Sequence, residues 1–296
     1  MNPKAPPGRG FTRGIFYMVL SCVAFAGLWA LIRITAADVS FTLMVFYRNL
    51  FGALFLVPML WRSDFSLLRT ARPLGHGLRA TSGLIATYAT FFAIAAAPLA
   101  DVVAISYAAP LFATLAAAFL LGERIRVRRI AAVSIGLAGM LLVLRPGDET
   151  LTAGHWAALG AALAVAVSLL MIKQLTRSED PRTVVTYSFV LMLPISFVIA
   201  LPFWRWPSPR ELGLLAAIGL VASIGQMFLA RSFAAAEASA VLPFDFIRLV
   251  LATALGAWLF GERLDGLTIL GASVILLATV YLAHREAVLA RRAHDK

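Results

Sequence analysis

The sequence predicts an all-α polytopic membrane protein of ten transmembrane helices, arranged as two inverted five-helix repeats. Three observations predict this fold class: an apolar composition, a series of apolar segments of membrane-spanning length, and an internal repeat. Hydrophobic residues make up 61% of the chain and charged residues 14%, with a mean hydropathy of +0.87. Such values lie far outside those of soluble globular proteins. We therefore expect the lipid bilayer to be the solvent of this chain.

Helix positions follow from the apolar segments. A bilayer core about 30 Å thick needs roughly 20 apolar residues per helix, and clusters of charged or turn-forming residues divide the sequence into ten segments of that length. The predicted spans are 11–33, 40–61, 76–97, 100–121, 128–145, 154–174, 183–204, 210–234, 238–260 and 266–285.

The basic residues predict the orientation. The net charge is +11, but Lys and Arg lie at the ends of apolar segments and not in one patch, which favours membrane topology over nucleic-acid binding. With the amino terminus inside, nineteen Lys and Arg fall in inner segments and five in outer ones. Cytoplasmic loops carry this excess, so we expect a multi-pass protein of a bacterial-type inner (plasma) membrane with both termini in the cytoplasm.

An internal repeat divides the chain. Residues 113–124 and 252–263 share seven identities in twelve positions, and the match continues through the following helix. We predict two homologous units, 1–148 and 149–296. Because each unit has an odd number of helices, the two copies are inverted in the membrane, a plan typical of transporters that expose one midplane site to either side. The shared Gly-Glu-Arg motif then lies on opposite sides, which favours a structural role, with its glycine ending a helix.

The segments FLLGERIRVRRIAAVSIGLAGMLLVL and WLFGERLDGLTILGASVILLATVYLA resemble helices four and five and helices nine and ten of EamA-type members of the drug/metabolite transporter superfamily. LWALIR, FYRNLFGALFL and SYAAPLFATL are similar to further family segments. The resemblance implies ten helices in inverted repeats and efflux or exchange of metabolites through a central cavity. More narrowly, the chain resembles YddG-type exporters of aromatic and other neutral amino acids. Ala30 stands where the family often has glycine.

Charged residues at membrane depth are candidate functional residues, because each costs at least ~2.5 kcal/mol at a helix centre. Asp245 and Arg248 are three residues apart and can pair on one helix face. They could form a structural ion pair, contact a zwitterionic solute or carry a coupling proton. Arg48 resembles a family position and could serve helix packing or substrate contact.

Aromatic and amide side chains complete the predicted substrate site. Tyr88, Tyr107 and Phe244 could contact apolar or aromatic solutes, and Gln226 is an amide deep in an apolar segment. Each aromatic could instead pack between helices or face lipid. Pro110 and Pro243 interrupt predicted helices four and nine, and we expect them to be hinges beside the pathway.

The sequence therefore predicts a secondary transporter that exports or exchanges small amphipathic organic solutes, with neutral or aromatic amino acids as the first candidates. No cofactor or metal is expected, since a single cysteine and the lack of HExxH, GxSxG and P-loop motifs leave no such site. The expected partners are a small-molecule substrate and the bilayer, and the plan is compatible with a monomer. The alternatives are an effluxer of cationic drugs or other metabolites and, from a different class, an intramembrane enzyme.

Overall fold

The computed structural model describes residues 7–106, 108–109, 111–112, 127–144, 152–236, 241–262 and 266–294. Within these ranges the secondary structure is helical throughout, without a β-strand. The α-helices are α1 (Pro7–Thr35), α2 (Phe41–Arg62), α3 (Pro73–Ala96), α4 (Leu99–Ser106), α5 (Val127–Leu144), α6 (Ala153–Leu175), α7 (Pro181–Ala200), α8 (Pro209–Ala235), α9 (Phe246–Phe260) and α10 (Gly266–His294). Short 3-10 helices occupy Ser66–Leu68, Leu201–Phe203 and Leu242–Asp245.

Six helical segments in the described part of the chain are long and apolar enough to cross a membrane. They are Phe11–Thr35, Phe41–Arg62, Pro73–Ala96, Ala153–Leu175, Pro181–Phe203 and Pro209–Ala235. Large apolar side chains on their outer faces, such as Phe55, Ile195 and Val198, are exposed, as lipid contact requires. The described part of α4 and the whole of α9 are shorter than a membrane span, so ten crossings stay a prediction.

Helix ends follow local sequence signals. Asp180 precedes α7 and accepts a hydrogen bond from the backbone nitrogen of Arg182 at 2.7 Å, with proline at the first helical position. Ser208 and Glu211 form a capping box at the start of α8. Gly261 ends α9 with φ 64°, a left-handed conformation that glycine adopts without strain. This is the role predicted for the motif's glycine; the first copy of the motif, 122–124, lies outside the described residues.

Two helices extend well beyond the predicted membrane spans. α1 begins at Pro7, because proline is accepted in the first turn of a helix, while its membrane-spanning part begins at Phe11 as predicted. α10 continues to His294, whereas the predicted span ended at 285. The segment 286–294 contains no glycine or proline that would end the helix.

Helix packing repeats between the two halves of the chain. α3 packs along α6, and α1 packs along α8. Replacing each helix by its equivalent five positions away in the other half converts the first contact into the second. The contacts of α2 with α8 and α3 with α7 are related in the same way, as are those of α1 with α9 and α4 with α6. Helices in equivalent positions also pair: α2 with α7, α4 with α9, and α5 with α10. This pattern is what a two-fold relationship between two five-helix units produces.

Small residues bring some of these helices very close together. A Cβ added at Gly219 of α8 would lie 2.9 Å from the backbone nitrogen of Gly52 in α2. A Cβ at Gly139 of α5 would lie 2.9 Å from the carbonyl oxygen of Gly271 in α10. Neither distance leaves room for a side chain. Close backbone approach at small residues is the main way in which helices associate tightly in lipid.

Candidate functional site

A central cavity with a volume of about 160 Å³ lies where the two halves of the chain meet. Its described walls come from α1 to α4, from α6 to α8 and from the start of α9, while none of the described residues of α5 and α10 line it. The candidate site residues predicted from sequence come from helices two, three, four, eight and nine, so the walls from α1, α6 and α7 were not predicted. The polar lining residues are Arg48, Arg79, Thr87, Thr90, Ser106, Ser168, Ser188, Gln226, Asp245 and Arg248.

Arg48 of α2 is buried in one wall of the cavity, with 5% of the residue exposed. Its Nη1 donates to Oδ1 of Asn49 at 2.7 Å, and Nδ2 of Asn49 donates to Oγ of Ser196 in α7 at 3.1 Å. The guanidinium lies 5.0 Å from the ring centroid of Phe189, also in α7. A neutral amide and an aromatic face therefore hold this cation at the junction of α2 and α7.

Arg79 of α3 is the second buried cation, with 3% of the residue exposed. Its Nη2 donates to Oε1 of Gln226 in α8 at 3.2 Å, whereas its Nε has no hydrogen-bond partner among the described residues. Gly83, one turn along α3, leaves the space for this side chain, because a Cβ there would overlap Nη1 of Arg79. Arg79 and Gln226 thus join the two halves across the cavity.

Asp245 and Arg248 form the third charged group of the lining. Oδ2 of Asp245 lies 2.6 Å from Nη2 of Arg248, one turn further along the chain. The Arg248 guanidinium also lies 5.2 Å from the ring centroid of Trp29 and 5.8 Å from that of Phe25, both in α1. The thiol of Cys22 is 3.6 Å from Oδ1 of Asp245. The start of α9 is therefore attached to α1 by aromatic and polar contacts.

Some of the site residues predicted from sequence line the cavity and others do not. Arg48, Gln226, Asp245 and Arg248 line the cavity. Pro243 lies in the 3-10 helix Leu242–Asp245 that precedes α9, so the helix predicted over 238–260 is interrupted there. Its role as a hinge stays a prediction. Tyr107 and Pro110 lie outside the described residues.

Two predicted aromatics lie away from the cavity lining. The ring of Tyr88 packs edge-on against Phe41 with centroids 6.5 Å apart, and its hydroxyl is 3.5 Å from the carbonyl oxygen of Ser196. Phe244 packs against a small apolar cluster that contains Met18 and Cys22. Substrate contact by either ring stays a prediction. The cavity's aromatic surfaces come instead from Phe25, Trp29, Phe91 and Phe189.

Arg79 is the functional candidate that sequence reasoning missed. In the charge distribution it belongs to an inner segment with Arg62, Arg69 and Arg72. It nevertheless falls within the predicted span 76–97. Its position inside a predicted membrane span could have identified it as a cation at membrane depth. In the structure, Arg79 is buried nearly two turns into α3 and lines the cavity.

A polar group, here called the first clamp, joins the start of α3 to the segment between α6 and α7. It consists of Thr70, His76, Glu179 and Tyr187. Nε2 of His76 lies 2.6 Å from Oε2 of Glu179, Thr70 donates to the other carboxylate oxygen, and the ring of Tyr187 stacks on His76 with centroids 4.3 Å apart. Burial opposes ionisation of Glu179, but its hydrogen bonds from Thr70 and His76 outweigh burial and lower the pKa of this carboxylate.

A comparable group, the second clamp, lies at the opposite end of the α3 and α6 pair. It consists of Asp101, Thr152, His155 and Thr268. His155 Nε2 is 3.3 Å from one oxygen of Asp101, and Thr268 donates to the other oxygen at 3.0 Å. Thr152 donates to the carbonyl oxygen of Ala96, the last residue of α3, at 3.2 Å. Both ends of this helix pair are therefore closed by a histidine and a carboxylate.

The apolar helical bundle defines a multi-pass membrane protein, and the cavity between its two halves is a candidate site for a small molecule. The model of the EamA-like transporter family matches residues 12–145 and again residues 152–283. The chain therefore belongs to the EamA-like transporter family and contains two copies of its domain.

Curated relatives are similar to the chain over most of its length. A riboflavin transporter of Rhizobium johnstonii is 32% identical and covers 92% of this chain and 91% of its own. An S-adenosylmethionine uptake transporter of Rickettsia felis is 25% identical, with 96% and 97% covered. The pseudopaline exporter CntI of Pseudomonas aeruginosa is 29% identical, with 92% and 96% covered. A solved crystal structure shares the fold, with a TM-score of 0.63 at 21% identity over 95% of this chain and 99% of that one.

Proposed function

We propose that the chain is a secondary transporter that moves small amphipathic organic solutes through the central cavity by alternating access. The observation that carries the proposal is the cavity between the two halves, which is mostly apolar but lined by several charged and polar side chains, in a chain whose family and relatives are transporters. The sequence contains no nucleotide-binding P-loop, so a gradient of solute or protons drives transport.

The proposal includes ten membrane crossings in two inverted units, 1–148 and 149–296, with both termini in the cytoplasm of an inner membrane. Helix contacts that exchange on a shift of five helices support the two-unit plan. The inversion follows from the odd number of helices in each unit, and the excess of inner Lys and Arg supports the orientation.

Alternating access requires each end of the cavity to open in turn, and the two clamps suit this task. The first clamp joins the α2–α3 segment to the α6–α7 segment, and the second joins α3, α4, α6 and α10 at the other end. In the proposed cycle, one clamp separates while the other stays closed. Hydrogen bonds between polar groups can form and break at such ends without disturbing the apolar contacts of α3 with α6.

The solute is proposed as a class. The relatives are named for riboflavin, S-adenosylmethionine and pseudopaline, and both uptake and export occur among those names. Neutral and aromatic amino acids, the solutes predicted from sequence, stay within the class. The aromatic walls at Phe25, Trp29 and Phe91 suit a solute with a planar or apolar part.

The alternative of a cationic drug effluxer is disfavoured by the charges of the cavity. Such a transporter would use a membrane carboxylate that lacks a basic neighbour. Asp245 is instead 2.6 Å from Arg248, and three arginines line the same cavity. A cation entering it would meet repulsion at membrane depth, where charges interact strongly.

Counterflow in reconstituted vesicles tests the proposed function. Purified protein in liposomes would be loaded with unlabelled solute and mixed with a trace of the labelled form, using riboflavin, S-adenosylmethionine and a panel of neutral and aromatic amino acids. We expect transient accumulation of at least one label without ATP, and none in protein-free vesicles. Absence of exchange for every solute by folded protein would contradict the proposal.

A further inference from the structure

We infer that the cavity selects organic anions, and that Arg48 and Arg79 hold the carboxylate or phosphate group of the solute. This inference rests on the proposed function and names the substrate class of the same cavity. The charges of the cavity, the burial of the two arginines and the chemistry of the facing walls carry it.

The described lining of the cavity is strongly cationic. It contains Arg48, Arg79 and Arg248 but, among the described lining residues, one acid, Asp245. Asp245 lies 2.6 Å from Arg248, whereas neither Arg48 nor Arg79 has a described carboxylate within 4.0 Å. Arg48 of α2 and Arg79 of α3 line the same cavity. Two neighbouring cations thus share one cavity with only neutral hydrogen-bond partners, Asn49 and Gln226.

Burial makes this arrangement costly without an anion. Both arginines are more than nine-tenths buried, and a buried charge is tolerated when a counter-charge and hydrogen bonds compensate it. Two like charges in one apolar site add repulsion to that cost. A solute anion between them would supply the missing counter-charge during each transport cycle.

The donors of these arginines suit an oxyanion. Nε of Arg79 is buried at the cavity without a hydrogen-bond partner among the described residues. A guanidinium presents its N–H groups as a planar fork that matches the oxygens of a carboxylate or phosphate. Arg48 keeps one Nη1 contact to Asn49, and the amide of Gln226 fixes the far side of Arg79. The pair is therefore held in place before a solute arrives.

The remaining walls define the rest of the solute. Trp29 and Phe25 lie beside Arg248, and Phe91 and Val165 add apolar surface. An aromatic or apolar body can pack against these rings. The substrate class is thus a small organic anion with an aromatic or apolar body, joined either to a carboxylate or to a phosphate ester.

A charge series with a common body tests the inference on the unmodified protein. The probes are 3-phenylpropionate, 3-phenylpropionamide and 3-phenylpropylamine, with phenyl phosphate as the phosphate arm. Binding would be measured by intrinsic tryptophan fluorescence and by thermal shift in detergent. We expect one of the two anions to bind on the order of tenfold more tightly than the amide, and the amine to bind most weakly, since hydrogen bonds to a charged group are stronger than neutral ones. The tighter anion identifies the carboxylate or the phosphate as the group that is bound.

Matched variants then locate the anion. Arg79→Gln and Arg48→Gln should each reduce the preference for the anion over the amide about tenfold, while Arg69→Gln in the exposed α2–α3 segment should leave it unchanged. Equal or tighter binding of the amide or the amine by the wild-type protein would overturn the inference, as would failure of both anions to bind. Neither result affects the proposed function if any solute of the counterflow panel exchanges, whereas absence of all exchange would count against that function alone.

Discussion

Asp245 and Arg248 form an ion pair of 2.6 Å at the start of α9, and both residues line the central cavity. The internal repeat places Ser106 and Ala109 at the equivalent positions of the first half, and these two residues line the same cavity. The positions therefore face the cavity in both halves, but the charges occur in one half only. A pair needed for folding would more readily occur in both repeats, so the asymmetry favours a role in transport.

Charge removal at this pair distinguishes stability from transport. Asp245→Asn or Arg248→Gln alone leaves one partly buried charge and should destabilise the protein, by less than the about 3 to 5 kcal/mol that breaking a fully buried pair costs. The double variant removes both charges, so we expect recovery of thermal stability without recovery of counterflow. Unfolding in detergent and transport in vesicles measure the two effects. Full transport by a stable double variant would exclude both residues from the site.

Orientation can be measured with single cysteines in a Cys22→Ser background. Ser66→Cys and Ser178→Cys lie in exposed segments that the charge distribution places inside. Both should be shielded from an impermeant thiol reagent added outside intact cells, and Asp148→Cys, in an outer segment by the same count, should react. Reaction at position 66 together with protection at 148 would reverse the orientation.

Removing an aromatic side chain from the cavity lining should weaken the transport of aromatic solutes selectively. Trp29→Leu should weaken exchange of aromatic solutes roughly 2- to 12-fold relative to aliphatic ones, since an aromatic pair contributes ~0.5 to 1.5 kcal/mol. Tyr88→Leu is the matched control because Tyr88 lies outside the cavity lining. Competition between labelled aromatic and aliphatic solutes gives the ratio directly. An equal loss for both solute types in Trp29→Leu would indicate a folding defect instead.

Two glycines of α3 test the position of Arg79. A Cβ at Gly83 would meet both Arg79 and the methyl group of Met192, whereas a Cβ at Gly77 would meet nothing within 4 Å. Gly83→Ala should therefore destabilise the protein by ~1 to 3 kcal/mol, and Gly77→Ala should be neutral or stabilising by up to ~1 kcal/mol. Thermal unfolding compares them. Equal stability of the two variants would mean that Arg79 does not lie over Gly83.

The fold was largely predictable from sequence, because span length, basic loops and the repeat depend on short-range patterns. Arg48, Asp245 and Arg248 could also be identified from sequence as candidate functional residues, because a charge deep in an apolar segment is costly and is therefore usually functional. Arg79 was not, because it lies near the end of its segment and resembles a loop arginine.

The sequence could not predict which side of a helix each aromatic side chain faces. In a soluble helix the apolar face identifies the core, but in lipid both the core and the surroundings are apolar. Tyr88 could therefore be placed on helix three but not on the side that it faces. The same holds for His76 and His155, whose carboxylate partners, Glu179 and Asp101, come from distant parts of the chain. Both histidines are buried in the two clamps.

The central claim is that solute passes through the cavity between the halves, and blocking that cavity tests it most directly. Val165 of α6 lines the cavity, whereas Leu163, two residues earlier on the same helix, is 49% exposed on the outer face. Counterflow of any transported solute should be abolished by Val165→Trp and retained by Leu163→Trp, with both variants inserted and folded. Undiminished counterflow by a folded Val165→Trp variant would contradict the account.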